Sequence, residues 1–403
     1  MQAIQRAIHH VAIALFRIFS QLLPISIPVT FAGEDATQEL SRAIGRLGIQ
    51  KVLIVTDKIL VELGIVGQVA AKLEAAGVAS VVYDGVEPNP TFDQIDAGRA
   101  LLRSDTCGAV VAIGGGSPMD AAKVIAACGS NSKDPRKLAG MMKIRKRPLP
   151  IFALPTTAGT GSEVTIVAVV SDTETHEKKQ FIDPKLVPLM TALDPALMAG
   201  MPPHVTAATG VDALTHAVES FLSKTSNDQT ETYIRMAIPL IFENLPRAFS
   251  NGDDLEARGA MAMASYYAGI AFTRTSVGYV NAIAHTFGAR YNTPHGLANA
   301  ITLPHILKFS APAANERLAA LAAMIGIEQG SAEQRADAFR AAVDELLRQL
   351  QIPTHLEDLQ LKDIPSIAQQ ALAEGWANYP VPRYMEQAEC EDILRAIAPA
   401  SVR

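Results

Sequence analysis

The chain has 403 residues, too many for one ordinary hydrophobic core, so two domains are expected. Apolar residues make up 49% and charged residues 19%, which excludes a disordered or fibrous chain and fits a globular one. A net charge of −6 with no basic block argues against a nucleic-acid partner, and three cysteines without a CxxC pair argue for a reducing compartment, the cytoplasm.

The first stretch, MQAIQRAIHHVAIALFRIFSQLLPIS, sets Ile4, Ile8, Val11, Leu15, Ile18 and Leu22 at steps of three and four, which lines one helix face. Arg17 interrupts the run, and the run falls short of the about 20 residues that span a bilayer. No small-residue cleavage site follows clearly, which disfavours a signal peptide. Residues 1–24 are expected to be an amphipathic extension that packs on the protein, on a neighbouring subunit or on a membrane surface.

Residues 25–198 read as alternating strands and helices. KVLIVT (Lys51–Thr56) is a strand, Val61–Ala76 a helix, and ASVVYDG (Ala79–Gly85) a strand. Pro88–Arg103 holds a turn and a helix, and CGAVVAIGG (Cys107–Gly115) is a buried strand entering a glycine turn. LPIFALPTT (Leu149–Thr157) and VTIVAVVSD (Val164–Asp172) are further strands. Continuous apolar runs of this kind suit a parallel sheet covered on both faces. Residues 199–403 change texture: helical runs dominate, at Ala207–Ser223, Gln229–Phe249, Leu255–Phe272, Ala313–Ile325 and Ala332–Gln349. GMPPH (Gly200–His204) marks the boundary. The expected architecture is α/β followed by all-α.

GGGSPMDAAK (Gly114–Lys123) follows a strand and opens a helix. Its glycines let a phosphate approach the backbone, and the helix start offers unpaired N–H groups and a positive dipole end. The same pattern also suits a tight strand-to-helix turn without a ligand. PTTAGTGSEVT (Pro155–Thr165) places hydroxyls and glycines at another strand end, where ligands of open α/β sheets sit. Asp57, in VTDK, suits ribose hydroxyls and repels a 2′-phosphate, or else caps the next helix.

GVDALTHAVESF carries Asp212 and His216 at i, i+4 on one helix face. SVGYVNAIAHTFGARYNTPHG adds Asn281, His285 and His295 among small and apolar neighbours. Buried imidazoles need partners, and oxygen and nitrogen donors without thiolate suit Zn²⁺ or Fe²⁺. Core histidines satisfied by hydrogen bonds are the alternative.

The stretches VTDK, YDGVEPNPT, AIGGGSPMDAAK, LPTTAGTGSEVT, MPPHVTAATGVDALTHAVES and YNTPHGLANAITLPH occur in an order and spacing that resembles the iron-containing, or group III, alcohol dehydrogenases. The resemblance covers roughly residues 25 to 400. It implies the dehydroquinate synthase-like fold of that family, a Rossmann-like N-terminal domain and a helical C-terminal domain with catalysis in the cleft between them. It implies NAD pyrophosphate on Gly114, Gly115, Gly116 and Ser117, with contacts from Thr156, Thr157 and Thr160. Asp57 matches the family's ribose-binding acid. Lys179 resembles the lysine near the nicotinamide ribose, with Lys178 as the alternative.

Asp212, His216 and His295 match three of the family's four metal ligands, and the fourth, usually histidine, falls at Asn281. His285 matches a pocket histidine that moves protons. It lies one turn, about 6 Å, from position 281, too far to replace a ligand whose bond to zinc is about 2.0–2.1 Å. Either Asn281 offers its amide oxygen, or three protein ligands hold Fe or Zn, or the protein is metal-poor.

The resemblance implies an NAD-dependent alcohol dehydrogenase, a homo-oligomer, that interconverts small primary alcohols or diols and aldehydes by metal-assisted hydride transfer. Two competing readings stand beside it. One is a metal-independent, maleylacetate-reductase-like activity with Arg290 or Arg274 holding a substrate acid. The other is a catalytically weak paralogue with a binding or regulatory role, motivated by Asn281.

Overall fold

The chain, in its computed structural model, is described over residues 24–174 and 177–399, so the amphipathic run of residues 1–23 lies outside the described residues. An α/β unit comprises Pro24–Met201 and Gly252–Gly269, and a helical unit comprises Pro202–Asn251 and the residues from Ile270 onward.

The α/β unit holds strands β1 (Val29–Ala32), β2 (Lys51–Val55), β3 (Ala79–Tyr83), β4 (Ala109–Gly114), β6 (Ile151–Pro155) and β9 (Met190–Leu193) in one sheet of order β1-β9-β6-β4-β2-β3, with every pairing parallel. Its helices are α1 (Ala36–Arg46), α2 (Lys58–Glu62), α3 (Ile65–Ala75), α4 (Phe92–Ser104) and α5 (Gly116–Ser130). Strand alternation sends Val52, Ile54, Val111 and Ile113 to one face, against Leu40 and Ile44 of α1 and Val69 and Leu73 of α3. Leu53, Val55, Val110 and Ala112 go to the other face, against Phe92, Ile95 and Leu102 of α4 and Met119 and Val124 of α5. Both faces are covered, which is why KVLIV and AVVAI read as unbroken apolar runs.

The chain runs from β2 outward to β3, then returns to β4 on the other side of β2. Such a reversal opens a crevice above the C-terminal ends of the two strands. Asp57 follows β2 and the glycine turn follows β4, so both lie at that crevice.

Several elements differ from the sequence expectation. The helix expected over Val61–Ala76 is two helices, because Gly64 takes φ 75 and ends the first. VTIVAVVSD does not join the parallel sheet. Only β7 (Val167–Asp172) is strand, and it pairs antiparallel with β8 (Glu177–Ile182) in a second sheet with β5 (Gly140–Met141). Every second residue of β7 is buried, the pattern of a strand with one covered face.

Residues Gly252–Gly269 belong to the α/β unit and include the first part of α8 (Leu255–Thr275). Arg258 is 1% exposed and donates Nε to the Gly252 carbonyl at 3.0 Å and Nη2 to the Met201 carbonyl at 3.1 Å. A buried guanidinium satisfied by backbone carbonyls ties this segment to the end of the α/β chain.

The helical unit contains α6 (Pro203–Leu222), α7 (Asp228–Ser250), the end of α8, α9 (Tyr279–Tyr291), α10 (His295–Met324), α11 (Ala332–Gln349), α12 (Ile364–Asn378) and α13 (Gln387–Ile397). α6 is buried continuously from Gly210 to Leu222 and packs on α7 and α10. α10 begins far upstream of the expected Ala313 and kinks at Ala314 (φ −138), two residues after Pro312. Among the described residues no helix is long and apolar enough to cross a membrane. Cys107, Cys128 and Cys390 are buried and free.

Candidate metal centre and cofactor turn

In the α/β unit, β4 ends at Gly114 with φ 147, in the region that favours glycine, and Gly115 leads into α5. A Cβ on Gly114 would lie 2.5 Å from Pro118 Cγ. On Gly115 it would lie 3.1 Å from Thr157 Oγ1, and on Gly116 2.9 Å from Thr160 Cγ2. The glycine turn and the threonine loop therefore sit against each other, with Thr156 N donating to the Gly114 carbonyl at 3.1 Å. Ser117 Oγ accepts the Asn89 N–H at 3.3 Å.

Lys123, one residue past the second turn of α5, is 0% exposed. Its Nζ shares three N–H groups among four acceptors: Ser162 Oγ (3.0 Å), the Thr165 carbonyl (3.0 Å), Thr165 Oγ1 (2.9 Å) and the Val167 carbonyl (2.8 Å). Ser162 Oγ donates to Asp120 Oδ1 at 3.0 Å, and Asp120 Oδ2 accepts the Val169 N–H at 3.0 Å. This buried network locks the threonine loop onto α5. Burial pushes the Lys123 ammonium down to about 8, against the pull of Asp120 and Glu163. Burial also pushes the Glu163 carboxyl up to about 7, opposed by its own backbone N–H and by Lys123. Gly161 closes the loop with φ +59, and a Cβ there would lie 2.8 Å from Gly269 Cα.

Asp57 does cap a helix: its Oδ1 accepts the Leu60 N–H at 3.0 Å at the start of α2. Its position after β2 also leaves it at the crevice. Strand alternation sends the two lysines of β8, Lys178 and Lys179, to opposite sides. Lys179 pairs with Glu177, two residues before it on the same side of the strand. Lys178 Nζ donates to Asn89 Oδ1 at 2.9 Å, and Asn89 in turn reaches Ser117 of the glycine turn. Lys178 is thus linked through Asn89 to the glycine turn, whereas Lys179 is paired with Glu177.

In the helical unit, Asp212, His216 and His295 bring one donor atom each within 4.8 Å of one another. α6 supplies the first two at i, i+4, and His295 is the first residue of α10, after Pro294. His216 Nε2 and His295 Nε2 each lie 3.6 Å from Asp212 Oδ1. These separations exceed a hydrogen bond and approach the about 3.4 Å edge of a tetrahedron with bonds of about 2.1 Å. The donor set fits a divalent cation.

Asn281, 2% exposed, lies beside them with Oδ1 3.1 Å from His295 Nε2. Asn299 Nδ2 donates to Asp212 Oδ1 at 2.6 Å. His285 takes another place: its ring stacks on that of His295 with centroids 5.2 Å apart, and its Nδ1 lies 2.7 Å from Glu374 Oε1. Tyr379 OH donates to the same Glu374 oxygen, and burial pushes that hydroxyl well above its ordinary range. Glu219 accepts the Gly278 and Val280 N–H groups and Asn281 Nδ2. Burial pushes its carboxyl up, opposed by those three donors and by His216.

Glu219, Asn299, Glu374 and Tyr379 escaped the sequence reading. Glu219 had a signal, since it stands three residues after His216 and seven after Asp212 on an otherwise apolar helix. Asn299 is four after His295. Glu374 and Tyr379 come from a distant segment with no local pattern to mark them.

Residues 28–195 match the family described as Iron-containing alcohol dehydrogenase, and residues 206–398 match the Fe-containing alcohol dehydrogenase family, C-terminal. The chain is 41% identical over 346 residues to the lactaldehyde reductase of Escherichia coli (strain K12), a match covering 84% of this chain and 90% of that protein. It superposes on the crystal structure of a 1,3-propanediol oxidoreductase with a TM-score of 0.90 at 39% identity, over 93% of this chain and 99% of that one. It superposes on the sulfoacetaldehyde reductase of Bifidobacterium kashiwanohense in complex with NAD⁺ with a TM-score of 0.85 at 29% identity, over 94% of this chain and 99% of that one. Both parts of the chain, the glycine-turn sheet and the helices that gather Asp212, His216 and His295, thus fall within one description: the chain belongs to the iron-containing alcohol dehydrogenase family.

Proposed function

We propose that this oxidoreductase interconverts small primary alcohols or diols and their aldehydes with NAD. The convergence of Asp212, His216 and His295 within 4.8 Å carries the proposal. The relatives support the substrate class, since lactaldehyde and 1,3-propanediol are short and oxygenated at or near a chain end. The NAD⁺ complex of the sulfoacetaldehyde reductase supports the cofactor.

Asp212, His216, His295 and Asn281 would hold the metal. When bound, the cation supplies Lewis acidity toward the substrate oxygen and the nicotinamide supplies or accepts the hydride. The backbone N–H groups at Gly115, Gly116 and Ser117 suit a pyrophosphate at the start of α5. The hydroxyls of Thr156, Thr157 and Thr160 border it. Asp57 suits the ribose hydroxyls, and Lys178, rather than Lys179, suits the far end of the cofactor.

Oxidation of an alcohol releases a hydride and a proton, and the proton needs a route. His285 provides it. Glu374 accepts at Nδ1, which orients the ring and leaves Nε2 to take the proton from the substrate side and pass it on. Arg290, the candidate for a substrate acid in the maleylacetate-like reading, is engaged by Asp363 at 2.8 Å, which favours the alcohol reading.

The test is NAD-linked oxidation of short primary alcohols and diols by protein stripped of metal and reloaded with Fe²⁺ or Zn²⁺. Turnover that a chelator removes and metal restores is expected, and His285→Gln should lower it about 10²–10⁴-fold. Reloaded protein that binds metal and NAD but oxidises none of these substrates would refute the proposal.

A further inference from the structure

Asn281 is held by a clamp that decides which end of its amide faces the metal centre. Its Nδ2 donates to Glu219 Oε2 at 2.7 Å. The same oxygen accepts the Gly278 N–H at 2.7 Å, and Glu219 Oε1 accepts the Val280 N–H at 2.7 Å. Both carboxylate oxygens therefore face N–H donors, and neither faces an acceptor. A flipped amide would set oxygen against oxygen. The NH₂ end must point to Glu219, so Oδ1 points the other way, to 3.1 Å from His295 Nε2.

The clamp is built in. Glu219 shares α6 with Asp212 and His216, so one helix carries two metal donors and the group that aims a further one. Glu219 is 7% exposed. It sits at the N-terminus of α9, where a Cβ on Gly278 would lie 2.7 Å from its Oε1. Only a residue without a side chain leaves space for the carboxylate there.

The donors facing the centre are then two imidazole nitrogens and two oxygens, one from a carboxylate and one from an amide. Imidazole favours Zn²⁺, whereas carboxylate and carbonyl oxygens suit harder ions such as Mn²⁺. We propose that Glu219 is a positioning residue that turns Asn281 Oδ1 toward the Asp212, His216 and His295 centre, and that this oxygen shifts metal preference from Zn²⁺ toward harder cations of the Mn²⁺ kind. The inference rests on the metal reading given above and deepens it.

The experiment needs no turnover. Full-length protein is stripped of metal and titrated with Mn²⁺, followed by loss of the free-ion paramagnetic resonance signal, and Zn²⁺ is then measured by displacement of Mn²⁺. Asn281→His exchanges the amide oxygen for a third imidazole. It should raise the preference for Zn²⁺ over Mn²⁺ at least about tenfold relative to the wild type. Glu219→Gln cannot accept from all three donors at once, and it should weaken Mn²⁺ binding by about 10–100-fold.

If Glu219→Gln loses the wild-type melting profile, Asn281→Leu gives the same contrast, with similar volume and no oxygen. An unchanged Zn²⁺/Mn²⁺ ratio in Asn281→His overturns the inference while leaving the metal reading intact. So does unchanged Mn²⁺ affinity in a folded Glu219→Gln. Failure of both wild type and Asn281→His to bind either ion overturns the metal reading itself, and the inference with it.

Discussion

Asp57 carries its carboxylate at the end of β2, where it accepts the Leu60 N–H at 3.0 Å and caps α2. The two readings of that residue in the sequence, helix cap and ribose acid, are compatible, because a carboxylate has more than one acceptor position. Substitution can separate them. Asp57→Ser keeps a capping oxygen and removes the charge. Its stability should stay within about 0.5 kcal/mol of wild type, while its preference for NAD over NADP falls because nothing repels the 2′-phosphate. Asp57→Ala should lose the same preference and also about 1 kcal/mol of stability. Urea denaturation and the ratio of kcat/KM for the two cofactors check both halves. A serine variant that keeps the full NAD preference would confine Asp57 to the cap. The lysines of β8 show the limit of single-residue reading: Lys178 and Lys179 are adjacent, and only strand alternation tells which one faces Asn89.

Whether an element was legible depended on how local its cause is. β2, β4 and β6 were readable because a strand buried on both faces is a continuous apolar run. β8, EKKQFI, was not, since its pairing with β7 offsets a sequence of charges that suggests a loop. Asp212 and His216 were legible as a pair because their spacing is a helix turn. The start of α10 at His295 was not, because it is fixed by packing on α6. Gly296 shows that packing. A Cβ there would lie 2.4 Å from the Ala208 carbonyl oxygen and 2.8 Å from its carbon, which are backbone atoms that cannot swing aside. Gly296→Ala should therefore push the first turn of α10, and His295 with it, away from Asp212 and His216. Metal affinity is expected to fall at least about tenfold although every donor remains. Gly259→Ala is the matched control, since its Cβ would meet Pro195 at an ordinary 3.9 Å. It should gain a little stability from helix propensity and leave metal affinity alone. Equal affinities in wild type and Gly296→Ala would mean that the α6–α10 contact does not set the centre.

At the scale of the whole molecule, the buried ionisable groups beneath the threonine loop tie the loop's geometry to stability. Lys123, Asp120 and Glu163 are ionisable groups on the loop and on α5, and Lys123 Nζ shares its three N–H groups among four acceptors there. The cost of burying them depends on pH. Glu163 has an ordinary value near 4.5 and is pushed up to about 7 by burial. The folded chain therefore holds a proton on Glu163 that the unfolded chain has already released between those values. Where the native state binds more protons, stability falls as pH rises. The contribution is fully present below about 4.5 and is lost as pH passes about 7, a difference of up to about 3 kcal/mol. Glu163→Gln keeps the shape and cannot ionise, so it should track wild type below about pH 4.5, gain on it between about 4.5 and 7, and hold that gain above neutrality. Paired urea titrations of wild type and variant at intervals from pH 4 to pH 8.5 read this directly. Asp120 and Lys123 remain in both proteins, so the difference isolates position 163. A gap between the two curves that stays constant with pH would show that Glu163 does not titrate in this range. Lys123 would then be balanced by an ionised pair of acids, and the loop would be held by charge pairing at every physiological pH.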